Sequence, residues 1–183
     1  MCDNSGKTKM LISACLLTHE AMEEALSRLL EAERLVSLCD WPYRYDGNSK
    51  ALPDERLARW AEEGRLVPIC PEVMGGLPVP RDPSEIRDGR VISRAGADVT
   101  AEYARGAEQA LSLAEKYHAG TAILKQGSPS CGSREIHDGT FSGRKIPGRG
   151  VAAEMLAEAG LTVFDETELD RAEALIAKNE SRR

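Results

Sequence analysis

Thr121-Ala122-Ile123-Leu124-Lys125-Gln126-Gly127-Ser128-Pro129-Ser130-Cys131-Gly132-Ser133 is a short apolar run that breaks into a turn of small residues around a thiol. The run is too short for a helix and lies between Gly120 and Gly127, so it reads as a buried strand. Two other stretches repeat the arrangement. Met10-Leu11-Ile12-Ser13-Ala14 leads into Cys15, and Leu66-Val67-Pro68-Ile69 leads into Cys70-Pro71-Glu72. Helix signals separate the three. Thr18 caps a helix with Met22, Leu26, Leu29 and Leu30 on one face, expected to run to about Leu38. Pro53-Asp54-Glu55 opens a second helix that Gly64 stops, and Thr100 caps a long third with Tyr103, Ala107, Leu111 and Ala114 facing inward, expected to end at Gly120. Residues 71–83 are proline-rich and read as a shaped loop, and 90–93 as a short strand. A glycine-rich loop is expected from 126 to 150, with a hairpin turn at 138–143. Helix 151–159, strand 161–164 and helix 166–177 close the chain. This alternation predicts one three-layer, doubly wound α/β domain over residues 1–183, Rossmann-like, with a mostly parallel sheet.

In such a sheet the carboxyl ends of the strands lie on one side, where ligands bind. Cys15, Cys70 and Cys131, each just past a strand, are therefore expected to converge. Three thiolates with one open position suit a cluster or metal that does chemistry, whereas a fourth would close the site. Cys39 is the residue that could supply a fourth; otherwise it packs, and Cys2 lies in a polar tail. The bland reading makes each cysteine an ordinary buried residue and Glu72 an exposed one. Three repeats of the arrangement weigh against it.

The chain has 183 residues, is 42% hydrophobic and 30% charged, and carries a net charge of −6, which describes a soluble domain with a real core. That charge argues against a DNA-binding role, although Arg134, Arg144, Lys145 and Arg149 cluster in sequence. No run approaches the roughly 20 apolar residues of a membrane span. Residues 1–9 lack the apolar core of a signal peptide. A cytoplasmic location is expected, where thiols stay reduced. Five cysteines, an odd count, also fit a disulfide framework poorly. His19, His118 and His137 show no metal-ligand spacing; His118 sits near a helix end, and His137 is close enough in sequence to Cys131 to reach a ligand. In the loop after Cys70, Arg81 is a candidate to hold an anionic or carbonyl oxygen.

Taken together, the motifs resemble the TudS-type thiouracil desulfidases. The resemblance rests on Ile12-Ser13-Ala14-Cys15-Leu16-Leu17, Arg44-Tyr45-Asp46-Gly47, and Cys70-Pro71-Glu72-Val73 with Gly75-Gly76-Leu77-Pro78-Val79-Pro80-Arg81. It continues through Ser128-Pro129-Ser130-Cys131-Gly132-Ser133, Asp138-Gly139-Thr140-Phe141-Ser142-Gly143, Pro147-Gly148-Arg149-Gly150 and Val163-Phe164-Asp165-Glu166. One departure stands out: about residues 18–42 read as a helical insertion between the first two motifs. The resemblance implies a [4Fe–4S] cluster held by Cys15, Cys70 and Cys131, with one iron that the protein does not ligate and that air would attack. It implies that Glu72 activates water, that Ser128 or Ser130 hydrogen-bonds substrate or departing sulfide, and that Arg81, Asp46 and Ser133 contact substrate. The expected reaction removes sulfur from a thiocarbonyl such as 2-thiouracil, or a related thionucleobase or thionucleoside, as hydrosulfide with no net redox change. The expected partner is that small molecule, with neither DNA nor membrane; the oligomeric state is left open. The alternatives are a cluster-bearing sulfur carrier and a non-catalytic metal-binding structural domain.

Overall fold

The structure, a computed structural model, describes residues 7–29, 44–48 and 50–181. Along the chain run β1 (Met10–Ser13), α1 (His19–Ser27), α2 (Glu55–Glu62), β2 (Leu66–Ile69), α3 (Pro71–Met74), β3 (Ser84–Arg87), β4 (Arg90–Ser93) and α4 (Thr100–Lys116). β5 (Thr121–Leu124), β6 (Glu135–His137), β7 (Lys145–Pro147), α5 (Val151–Glu158), β8 (Thr162–Asp165) and α6 (Leu169–Glu180) follow.

Every residue of β1, β2 and β5 is buried, as strands covered on both faces require. They form a parallel sheet with β8 in the order β2-β1-β5-β8. Pro68 cannot donate to a ladder, and β2 is an edge strand where that donor is dispensable. The chain leaves β1 toward β2 and then crosses back to β5 on the other side. The direction of winding therefore reverses between β1 and β5, the place where such sheets bind ligands. α1 packs on α2, which Arg56–Asp170 and Arg59–Glu173 ion pairs join to α6. α3, α4 and α5 form a second packed group. The expected three-layer α/β arrangement is the one observed.

At the amino end of the sheet the buried Lys9 donates to Gly64 O at 2.6 Å, and Arg65 pairs with Glu63 and Glu180. On the other side, α3 and α4 meet backbone to backbone. A Cβ at Gly75 would lie 1.9 Å from Glu102 O, and one at Gly106 1.8 Å from Pro71 O, so only glycine permits the approach.

Several expectations change in detail. Thr18 Oγ1 accepts from Ala21 N at 3.2 Å and caps α1 as expected. That helix ends at Ser27, not near Leu38. The Ser27 hydroxyl takes up Glu24 O at 2.7 Å and Leu29 N reaches back to Leu26 O, a tightening that closes the last turn. The rest of the expected span, and Cys39, lie outside the described residues. The proline-rich loop begins with a helical turn, α3, because Pro71 occupies its first position, where no N–H is needed. Thr100 is the first residue of α4 and does not cap it; its Oγ1 instead accepts from Val91 N at 2.9 Å and ties β4 to the helix. The long loop before Gly150 contains the β6–β7 hairpin, turned at 138–143 as expected. Of the four clustered basic residues, Arg134, Lys145 and Arg149 are tied to Asp165, Glu135 and Glu154, so no free basic stripe forms from them.

Candidate active site

Each of the three cysteines is placed by a different local device. Cys15 sits in a single 3-10 turn directly after β1, and its carbonyl accepts from Lys50 N at 3.1 Å. Cys70 is the cap residue directly before α3, and its carbonyl takes Met74 N at 2.9 Å. Cys131 lies in a loop organised by two side chains. Ser128 Oγ accepts from Ser130 N and Cys131 N at 3.0 and 3.1 Å. Gln126 Oε1 gathers the N–H groups of Gly127, Ser133, Arg134 and Glu135 at 3.1–3.3 Å. The carbonyls of Pro129 and Ser130 then take up the first N–H groups of α5.

The sheet brings these turns to one end, and all three thiols line one cavity of about 620 Å³. Burial pushes the Cys15 thiol well above the ordinary cysteine range; Cys131 and Cys70 push it further, and Lys125 partly opposes them. Cys70 is raised to about 12 by burial and then by the Glu72 charge, against the Val73 N–H and Arg81. Cys131 is raised to about 11 by burial, opposed first by the Ser13 hydroxyl, with the Glu72 charge adding to the rise. None of the three is in a disulfide.

Glu72 stands beside them on α3. Arg81 donates to its Oε2 through Nε at 2.9 Å and Nη2 at 2.5 Å, and Ser128 Oγ donates to Oε1 at 3.3 Å. Burial disfavours the Arg81 charge, and the Glu72 carboxylate outweighs that, so the guanidinium titrates above its usual range. Tyr103, 1% exposed, lines the same cavity; burial and then the Glu72 charge raise its phenol well above the usual tyrosine value, so it remains a proton donor. Six cationic side chains line the cavity; Arg44, Arg81, Lys125 and Lys145 are paired with Asp46, Glu72, Glu166 and Glu135, and Lys50 and Arg94 make no ion pair with a carboxylate among the described residues. So many charged side chains around one cavity suit a strongly polar ligand.

The structure thus brings Cys15, Cys70, Cys131, Glu72, Ser128 and Arg81 to one cavity. Ser130 and Ser133 lie in the Cys131 turn but do not line the cavity; their hydroxyls are buried without a hydrogen-bond partner. Asp46 is turned away: it is exposed, accepts from Asn48 N at 3.0 Å and pairs with Arg44, leaving Arg44 and Tyr45 as the wall at that point. Lys125, held by Glu166 and Gln126 O, and His137 also line the cavity. Tyr103 is a site residue that its sequence pattern conceals, because a tyrosine on the inner face of a helix reads as core. Its hydroxyl was the available signal, since a buried one needs a partner.

Among the described residues no three His, Cys, Asp or Glu side chains form a group that could hold one metal ion. A lone ion needs its sulfur ligands to meet at one point, about 2.3 Å away for zinc. Thiols spread around a cavity suit a wider, polynuclear body whose separate metals each take one thiolate. The small residues and unpartnered hydroxyls of the Cys131 turn fit such a group, because sulfur-rich clusters accept weak hydrogen bonds.

Fold and site together define an α/β protein with three thiols grouped at strand ends, at the winding reversal of a parallel sheet. The family profile of the 2-thiouracil desulfurases matches residues 35–168, and the chain belongs to that family. A Bacillus subtilis (strain 168) relative, the uncharacterized protein YbbK, is 41% identical over 137 residues, covering 69% of this chain and 89% of its own. The solved structure of the [4Fe–4S]-dependent thiouracil desulfidase TudS superposes with a TM-score of 0.78 at 40% identity, over 92% of this chain and 98% of that one. The profile match begins after Cys15; what sets that cysteine beside the other two is the parallel pairing of β1 with β2 and β5.

Proposed function

We propose that the protein is a desulfidase that replaces the sulfur of a small thiocarbonyl compound, such as 2-thiouracil or a related thionucleobase or thionucleoside, with oxygen from water. The observation that carries this reading is the meeting of three thiols with Glu72 and Ser128 in one cavity of a chain from the desulfurase family. Cys15, Cys70 and Cys131 would hold a [4Fe–4S] cluster, which when bound supplies an iron without a protein ligand, a soft Lewis acid suited to sulfur. The protein's own groups do the rest. Arg81 fixes Glu72 through Oε2, leaving Oε1 facing Ser128 as the basic oxygen. Glu72 takes a proton from water as its oxygen bonds to the thiocarbonyl carbon; the carbon–sulfur bond breaks, and sulfur departs as hydrosulfide. Water is consumed and no electron is transferred. Ser128, which also steadies the Cys131 turn, and Tyr103 keep the charge on Glu72 in place.

The test is anaerobic reconstitution with iron and sulfide counted, the absorbance spectrum recorded, and sulfide release measured from 2-thiouracil. Release with uracil as product is the expected result. Failure to release sulfide from any thiobase or thionucleoside, with added sulfide retained by the protein, would replace desulfidation by a sulfur-carrier role.

A further inference from the structure

We propose that Phe141 is a specificity-determining residue of this site, whose ring forms the wall against which a flat aromatic substrate ring stacks; this rests on the desulfidase reading above. The chain has two phenylalanines. Phe164 is 4% exposed and belongs to the core. Phe141 takes no part in the core and lines the cavity instead. Its backbone is left-handed, with φ of +57°, a conformation that a bulky side chain adopts only under constraint. Such strain persists where the surroundings over-determine it, and it collects at ligand sites.

The surroundings do so here. Glu85 on β3, 6% exposed, uses Oε2 to accept the Phe141 N–H at 2.9 Å. Arg87 on the same strand donates to Gly139 O through Nη2 at 2.6 Å and Nε at 3.0 Å. A Cβ at Gly139 would lie 2.7 Å from Ile86 O, so the two hairpins touch backbone to backbone. The Phe141 ring is therefore positioned by the β3–β4 hairpin. Burying a carboxylate to hold one N–H makes little sense for an idle loop tip, and is explained if the ring's position matters. The Arg94 guanidinium stands 5.5 Å from the ring centroid, and Arg94 makes no ion pair with a carboxylate among the described residues. A ring beside a cation and bordering a polar cavity offers a platform for a flat heteroaromatic ring.

Uracil and 5,6-dihydrouracil test this, because they share one hydrogen-bonding edge and only uracil is flat and conjugated. Both are measured as competitive ligands of the cluster-loaded enzyme. The wild type is expected to prefer uracil. Phe141→Leu should weaken uracil about 10- to 100-fold, the usual loss of one base–aromatic stack, and erase the preference. It should raise KM for 2-thiouracil more than it lowers kcat. Phe141→Tyr should retain the preference. Should the leucine variant not fold, Phe141→Met reads the same ratio. A variant that keeps the wild-type uracil-to-dihydrouracil ratio, or loses both ligands equally, overturns the proposal while wild-type desulfidation stands. A wild type that releases no sulfide and binds neither pyrimidine overturns the functional reading, and this inference with it.

Discussion

At the amino end of the sheet Lys9 and Arg65 are both buried and both partnered, by Gly64 O and by Glu63 and Glu180, and among the described residues Thr8 Oγ1 alone is buried there without a partner. At the carboxyl end three thiols are buried against their own ionisation, and the hydroxyls of Ser130 and Ser133 and the Nδ1 of His137 have no partner among the described residues. The same strands run through both ends, so the difference is one of purpose rather than of packing quality. Buried polar groups in a finished scaffold are satisfied internally. Buried polar atoms without a partner among the described residues, three at this end against one at the other, mark a place whose electrostatics are completed from outside.

The sharpest way to break this contrast is at the thiols. Cys15→Ser, Cys70→Ser and Cys131→Ser should each abolish iron retention after anaerobic reconstitution, whereas Cys39→Ser should retain wild-type iron. Equal loss in the Cys39 variant would mean a four-thiolate, closed site. The next effect is at Glu72. Glu72→Gln should keep the iron and the absorbance spectrum but slow sulfide release from 2-thiouracil about 10²–10⁴-fold, the usual contribution of a general base. Wild-type turnover in that variant would remove Glu72 from the reaction.

The smallest effect belongs to the amino end and should leave catalysis alone. Arg65→Met should lower stability by about 1–3 kcal/mol at neutral pH, measured from the denaturant midpoint, with sulfide release per folded molecule unchanged. Its pH dependence follows from Glu180. Hydrogen bonds from Arg65, against a burial penalty and with help from Thr8 N, hold that carboxyl below its ordinary value of 4.5. A depressed folded pKa gives stability that is complete above the unfolded value and is lost as pH falls through the folded one. The gap between wild type and variant should therefore narrow below about pH 4.5. A constant gap down to acid unfolding would mean that Arg65 contributes by packing alone.

Much of the carboxyl end was legible in the residues. An apolar run of four or five followed by a glycine-, proline- or serine-rich turn specifies a strand end, and the parallel winding then fixes which end of the sheet the turn occupies. What pairing across the sheet does to individual side chains was not legible. Glu72 and Arg81 are nine residues apart, and nothing in their spacing shows that a helical turn at Pro71 and a returning loop fold the guanidinium onto the carboxylate. Asp46 belongs to a motif that borders the cavity, yet its short side chain satisfies its own turn and its neighbour Arg44. The early end of α1 has the same origin: the competition of one serine hydroxyl for a helix carbonyl is a local detail that hydrophobic periodicity does not register.

The close approach of α3 and α4 has a consequence for which changes the protein can tolerate. In most helices an interior glycine is a weakness, and replacing it with alanine is a safe route to a more robust chain, worth about 0.5–1 kcal/mol. At Gly106 the rule inverts, because the added methyl would collide with the carbonyl of Pro71, the residue that begins the turn bearing Glu72. Gly75 closes the same turn against Glu102, the neighbour of Tyr103. Two hydrogens thus set the reach between the Glu72 carboxylate and the Tyr103 phenol. A substitution chosen to toughen the scaffold at either point would detune the chemistry first.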